Sequence, residues 1–271
     1  MKETIVLKPY KTTSFEKSIS KVGIDNSIPF LPLIHKVDGI PQVGKSKQTS
    51  LEYFEREEIF PVPCDVFGED LIYTFIGRPA YREVSIPVCF IIEPAPELIQ
   101  NIVIFDSGAY YENRYKKIVD NKLDVNLFRI PATQEMIKKF IALNFGENIY
   151  YYFGLSKIPK HFDVMKSEEE FDYEMLKRIM DFGKVHFDVR CRTIENILRT
   201  PIDLKKYLMA LIMPNSLSDN EMFKKFCKSI NKDIDIIYYD DQKVNGDDKL
   251  CNRMMDKVLF NYYLEKGYIV L

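Results

Sequence analysis

Asp70-Leu71-Ile72-Tyr73-Thr74-Phe75-Ile76-Gly77-Arg78-Pro79-Ala80-Tyr81-Arg82 is a β-branched and aromatic run that stops abruptly. Such residues suit a pleated, half-buried surface. Gly77 and Pro79 then force the chain out of a ladder, because proline has no N–H to give it. The stretch predicts a strand that delivers a guanidinium, Arg78, at its end, with Tyr73 before it and Tyr81 after it.

Working outward, Phe30-Leu31-Pro32-Leu33-Ile34-His35 is a short apolar run, read as a buried strand ending in His35. Thr49 offers a hydroxyl ahead of a short helix over Ser50-Leu51-Glu52-Tyr53-Phe54, closed by Pro61 and Pro63. On the other side, Ile86 to Ile92 and Asn101 to Phe105 predict two further strands, the second leading into Asp106-Ser107-Gly108-Ala109-Tyr110. Helical spacing over Ala132 to Leu143 and Ser167 to Met180 marks residues 131–185 as a helical insertion or flank. Strands return at Arg192 to Leu198, Leu208 to Met213 and Asp235 to Tyr239, with helices over about Asp219–Ile230 and Asp247–Lys266. This mixture predicts a single α+β domain over residues 1–271, with residues 1–29 as an N-terminal arm.

The 271 residues are 46% hydrophobic and 29% charged, which is enough apolar material for a core and too little excess charge to keep the chain unfolded. The 38 basic side chains against 40 acidic ones, a formal charge of −2, exclude the broad positive field of a protein held on nucleic acid by charge alone. No apolar run is long enough to span a bilayer, and the N-terminus lacks the apolar segment of a signal peptide. A soluble, cytoplasmic protein with no membrane partner is expected. Five scattered cysteines without a C-x-x-C pair read as reduced thiols. Three histidines without ligand spacing give no expectation of a metal site.

Neither a phosphate loop, a dinucleotide G-x-G-x-x-G, a nucleophile elbow nor a kinase signature occurs. What remains is a dispersed constellation: a strand ending in His35, the turn carrying Arg78, and Arg190-Cys191-Arg192-Thr193-Ile194-Glu195-Asn196-Ile197-Leu198 followed by Pro201-Ile202-Asp203. Phe75 precedes Arg78 by three residues, and Glu195 follows two arginines. That order resembles the ADP-ribosyltransferase superfamily, distantly its DarT-like branch, over about a third of the chain. His35-Lys36-Val37 departs from the family's H-F-T, and Pro79 directly follows Arg78 where the family inserts a small residue.

The resemblance implies a core of two small facing sheets, NAD as the substrate consumed, and a macromolecular acceptor, either single-stranded nucleic acid or protein. It also implies Glu195 and Arg78 as catalytic residues, with His35, Tyr73, Arg78 and Tyr81 against the cofactor, and a toxin or defence setting with an antitoxin or assembly partner. The chemistry is coherent on its own terms. Breaking the nicotinamide–ribose bond builds positive charge on the sugar, which a fixed carboxylate stabilises. A planar guanidinium matches phosphate or amide oxygens in pairs.

Asp106, Ser107, Tyr110 and Tyr151 are candidate acceptor-binding residues, the tyrosines as stacking platforms. Each residue also has an ordinary reading. Arg78 can pair with Glu83 or Asp70, Glu195 can face solvent by strand alternation, and His35 can be a hydrogen-bonded core histidine. Asp106 can make an Asx-turn, the tyrosines can be core or rim packing, and Lys224, Lys225, Lys228 and Lys232 a solvated helix face. The reading of a different class is a non-catalytic α+β interaction module or subunit of a toxin–antitoxin or defence assembly.

Overall fold

A computed structural model describes residues 4–21, 23, 28–39, 49–80, 84–112, 114–115, 124–145, 152–153, 170–186, 189–230, 233–244 and 247–269. The strands in chain order are β1 (Leu33–Asp38), β2 (Glu58–Ile59), β3 (Val62–Cys64), β4 (Glu69–Ile76), β5 (Pro87–Ile92), β6 (Asn101–Val103), β7 (Arg129–Ile130), β8 (Glu195–Leu198), β9 (Ile202–Asp203), β10 (Leu208–Pro214) and β11 (Asp235–Tyr239). The helices are α1 (Ser14–Ser20), α2 (Ser50–Arg56), α3 (Ser107–Tyr111), α4 (Gln134–Phe145), α5 (Glu170–His186), α6 (Leu204–Tyr207), α7 (Glu221–Ser229) and α8 (Asp248–Glu265). The class is α+β, with mostly antiparallel pairing. No described helix is long and apolar enough to cross a membrane.

The chain forms two compact units, each assembled from three separate stretches. The first takes residues 1–31, 62–80 and 96–199. Its strands pair in the order β3, β4, β8, β6, β7, all antiparallel. β8 is the middle strand: Glu195 lies opposite Phe75 on one side and Val103 on the other, and Ile197 lies opposite Tyr73 and Asn101. Directly opposed residues point to the same face and alternate residues share it. Tyr73, Phe75, Val103, Glu195 and Ile197 therefore share one face, and Thr74 and Asn196 the other. On the first face Leu7, Phe67, Leu71, Val103, Val125 and Ile197 form an apolar cluster, with Tyr73 and Tyr110 packed against it.

The N-terminal arm contains a helix. Thr13 caps α1 by accepting from the Glu16 N–H at 3.1 Å, and Phe15 and Ile19 are fully buried. Burial of side chains this size stabilises by about 1.5–3 kcal/mol each, enough to hold an isolated short helix that would melt in water.

The second unit takes residues 32–61, 81–95 and 200–271. Its sheet runs β11, β10, β5, β1, parallel between β10 and β11 and antiparallel elsewhere. β5 is buried along its whole length, and β2 and β9 form a separate two-stranded pair. Within this unit the expected end of the first strand is corrected. Pro32 cannot donate to a ladder, so pairing starts at Leu33 and continues past His35 to Asp38, opposite Pro87. Polar residues fit there because they are met: Asp38 accepts from the Ser85 N–H at 2.6 Å, and the Lys36 ammonium lies 3.9 Å from the Asp256 carboxylate.

Two expected strands are shorter than read. β6 stops at Val103 because the Ile104 N–H turns to the Phe128 carbonyl at 3.1 Å and Asp106 opens a helix. β8 begins only at Glu195, since Val189–Arg192 forms a 3-10 turn.

Candidate active site

α3 is only five residues long, and Asp106 starts it. Its Oδ1 accepts the Ala109 N–H at 3.0 Å and so caps the helix, in keeping with the Asx-turn reading of the sequence. Its own N–H goes to the Arg190 carbonyl at 3.0 Å. This turn aims Ser107 at β8. The Ser107 hydroxyl donates to Glu195 Oε2 at 2.5 Å, and its backbone N–H reaches the same oxygen at 3.2 Å.

Glu195 has no exposed surface, which overturns the solvent-facing alternative. Alternation fails as a guide because both faces of β8 are covered: Asn196, its neighbour on the opposite face, is buried as well. The two residues are treated differently, however. Asn196 is satisfied, donating to Thr74 Oγ1 at 2.9 Å and the Leu98 carbonyl at 2.8 Å, and accepting from the Gln100 N–H at 3.0 Å. Glu195 Oε1 and Asp106 Oδ2 are buried with no hydrogen-bond partner. Buried polar atoms are nearly always paired, so two orphan oxygens on neighbouring, interacting carboxyls single out this place.

Burial and then the Asp106 charge push the Glu195 carboxyl well above the usual range, against the opposing pull of Ser107. Burial raises Asp106 to about 6, opposed by the Ala109 N–H and the Arg190 charge. Neither acid therefore holds its charge as a surface carboxylate would. Two interacting carboxyls with raised proton affinity, a hydroxyl donor and an arginine nearby can store, give up or take a proton near neutral pH, and when ionised can stabilise a cation.

Arg78 follows β4, the strand paired with β8. Ile76 donates its N–H to the Ile194 carbonyl at 3.0 Å, and Gly77 turns the chain with φ +68°. The Arg78 guanidinium donates to the Tyr152 carbonyl at 2.6 Å, and the Tyr152 hydroxyl donates back to the Ile76 carbonyl at 2.5 Å. Tyr152 is buried, edge-on to Phe145 and Phe153. Tyr73 shares the face of Glu195 and bonds the Cys64 thiol at 2.6 Å.

The other expected residues divide as follows. Tyr110 packs against the apolar cluster. Tyr81 and Tyr151 lie outside the described residues. His35 belongs to the second unit, where its Nε2 sits 3.3 Å from the Tyr53 hydroxyl and its ring lies against Phe90. Among the lysines of α7, Lys224 meets Asp219 at 3.2 Å. Asp106 and Ser107 join Glu195 although 88 residues separate Ser107 from it in sequence. Tyr152 as the anchor of Arg78 carried no sequence signal beyond its place in an aromatic run.

No group of three or more metal-ligating side chains occurs among the described residues. No protein-family model, curated protein or solved structure matches this chain.

Proposed function

We propose that the protein is an NAD-consuming ADP-ribosyltransferase with a macromolecular acceptor, in which Glu195 supplies the carboxylate opposite the ribose cation and Arg78 holds an oxygen of the cofactor. The observation that carries this reading is the adjacency of the two sequence elements behind it. The arginine element and the glutamate element are more than a hundred residues apart in the chain, yet they form neighbouring strands with Phe75 opposite Glu195 and Ile76 bonded to Ile194. A carboxylate there can stabilise the cation formed when an N-glycosidic bond breaks, and a guanidinium at the adjacent strand end can hold a phosphate or amide oxygen. The reading carries with it an ADP-ribosyltransferase-like core, a cytoplasmic setting and a role as a toxin or defence effector, with NAD consumed and no metal.

Asp106 and Ser107 acquire roles in this scheme. Ser107 fixes one oxygen of Glu195, and Asp106 raises its proton affinity, so the carboxyl must lose its proton before it can oppose a cation. NAD turnover should therefore rise with pH as Glu195 ionises. Glu195→Gln keeps the shape and removes the charge. Measured with labelled NAD in the presence of lysate protein, DNA and RNA, its turnover on the alkaline plateau should be about 10²–10³-fold lower, with the pH rise abolished. Equal turnover in both forms would remove Glu195 from the chemistry. Absence of turnover in the parent protein with every acceptor would favour the non-catalytic interaction module.

A further inference from the structure

A second polar feature of the first unit lies at the arm. A cavity of about 390 Å³ is lined by seven residues of the arm between Lys8 and Lys17, Glu16 not among them, and by Asp124, Asn126, Leu127 and Arg129. Its walls carry Lys8, Lys11, Lys17 and Arg129 against one carboxylate, Asp124. Four cations facing one acid make a local excess of positive charge in a chain whose formal charge is −2.

The frame of this cavity is fixed by hydrogen bonds between its two segments. The Lys8 N–H donates to Asn126 Oδ1 at 3.0 Å, Asn126 Nδ2 donates to the Val6 carbonyl at 2.9 Å, and the Thr13 hydroxyl donates to the Arg129 carbonyl at 2.8 Å. Asp124 is already committed, with Lys8 Nζ 2.6 Å from its Oδ2. It is therefore held by Lys8.

Arg129 is the unusual member. It is 3% exposed, and its guanidinium donates to the Lys8 carbonyl at 2.6 Å, to Asn101 Oδ1 at 2.6 Å and, at the limit of 3.5 Å, to Asn126 Oδ1. These acceptors are all neutral, and Nε is buried with no acceptor at all. No carboxylate among the described residues lies within ion-pair distance of it. A buried guanidinium without an anion is costly, and the Tyr10 ring 5.4 Å from it offers only a partial counterpart.

We infer that this cavity is a binding site for a small phosphate-bearing anion, with Arg129 as the buried charge at its wall and the lysines as the exposed cations that meet the phosphate oxygens. Several cationic side chains around one concave site suit a multiply charged oxyanion better than a singly charged carboxylate. The volume suits a ligand of up to nucleotide size. The site does not depend on the transferase reading, since it uses none of the residues assigned to that chemistry.

Calorimetric titration of the full chain with pyrophosphate and, separately, with ADP tests it. Saturable binding of at least one is expected, weakening as salt is added. The double variant Lys11→Ala/Lys17→Ala should lose about tenfold or more in affinity while melting at the parent's temperature. Lys11→Glu alone serves if the double variant fails to fold. Equal affinity for the two ligands assigns the site to free phosphate, and tighter ADP assigns it to a nucleoside phosphate. No binding of either at millimolar concentration overturns the proposal. So does binding that the lysine substitutions leave unchanged, which would place the ligand elsewhere on the chain.

Discussion

Glu195 has one oxygen held by Ser107 and one buried without a hydrogen-bond partner. That asymmetry sets how the residue titrates. The folded chain binds the Glu195 proton more tightly than the unfolded chain does, and the same holds for Asp106, raised to about 6. A group whose proton affinity rises on folding contributes its full stability below its unfolded pKa, near 4 for both acids, and loses it as pH climbs through the folded value. Stability should therefore fall from mildly acid toward alkaline pH, and Glu195→Gln should flatten that fall, because an amide has no proton to lose. Urea midpoints of both proteins at pH 5 and pH 8 measure this. The variant should gain on the parent at pH 8; parallel curves would mean that Glu195 is ionised already at pH 5. The result is separate from the activity test, since it reads the carboxyl's environment whether or not NAD is ever cleaved.

At the scale of elements, the turn between β4 and Arg78 is tightly constrained. Gly77 sits at φ +68°, and a Cβ there would lie 2.8 Å from Leu31 Cδ1 and 3.3 Å from the Phe153 ring. Leu31 is itself buried, so it has little room to yield. Gly77→Ala should cost about 1–2 kcal/mol for the left-handed backbone, and more for the contact. A drop in the urea midpoint with loss of Arg78-dependent NAD binding is the expected pair of results, and a variant as stable as the parent would show that the turn can relax. This turn was legible in advance because Gly and Pro punctuate a strongly β-forming run. The fully apolar β5 and the long α8 were legible for the same reason, as local patterns that state their own type. α1, β7 and the β2 and β9 pair were missed because each is too short to show a period and is held by contacts with distant residues. The candidate site was half visible. Residue type drew attention to Glu195 and Asp106, but their pairing joins a strand to a helix cap far away in the chain, and burial of both faces of β8 broke the alternation on which a solvent-facing glutamate was one reading.

At the scale of the whole chain, the two units are interleaved, and the chain passes from one to the other five times. The order of the sequence is therefore a poor guide to where it can be cut. Residues 200–271 carry β9, β10, β11 and α6 to α8, all in the second unit, while the first unit ends at Arg199. A fragment of residues 1–199 keeps every strand of the β3, β4, β8, β6, β7 sheet, including both partners of β8. It leaves β5 without β10, although β5 is buried at every position and lies between β10 and β1. An apolar strand stripped of one partner exposes both unpaired backbone groups and apolar side chains, the state that natural sheets avoid at their edges. The fragment should bind a hydrophobic dye that the full chain does not, and amide exchange should accelerate across residues 88–92 while residues 195–198 keep their protection. Equal protection of residues 88–92 in fragment and full chain would show that β5 is secured without β10, and that the second unit is less dependent on residues 200–271 than its strand order requires.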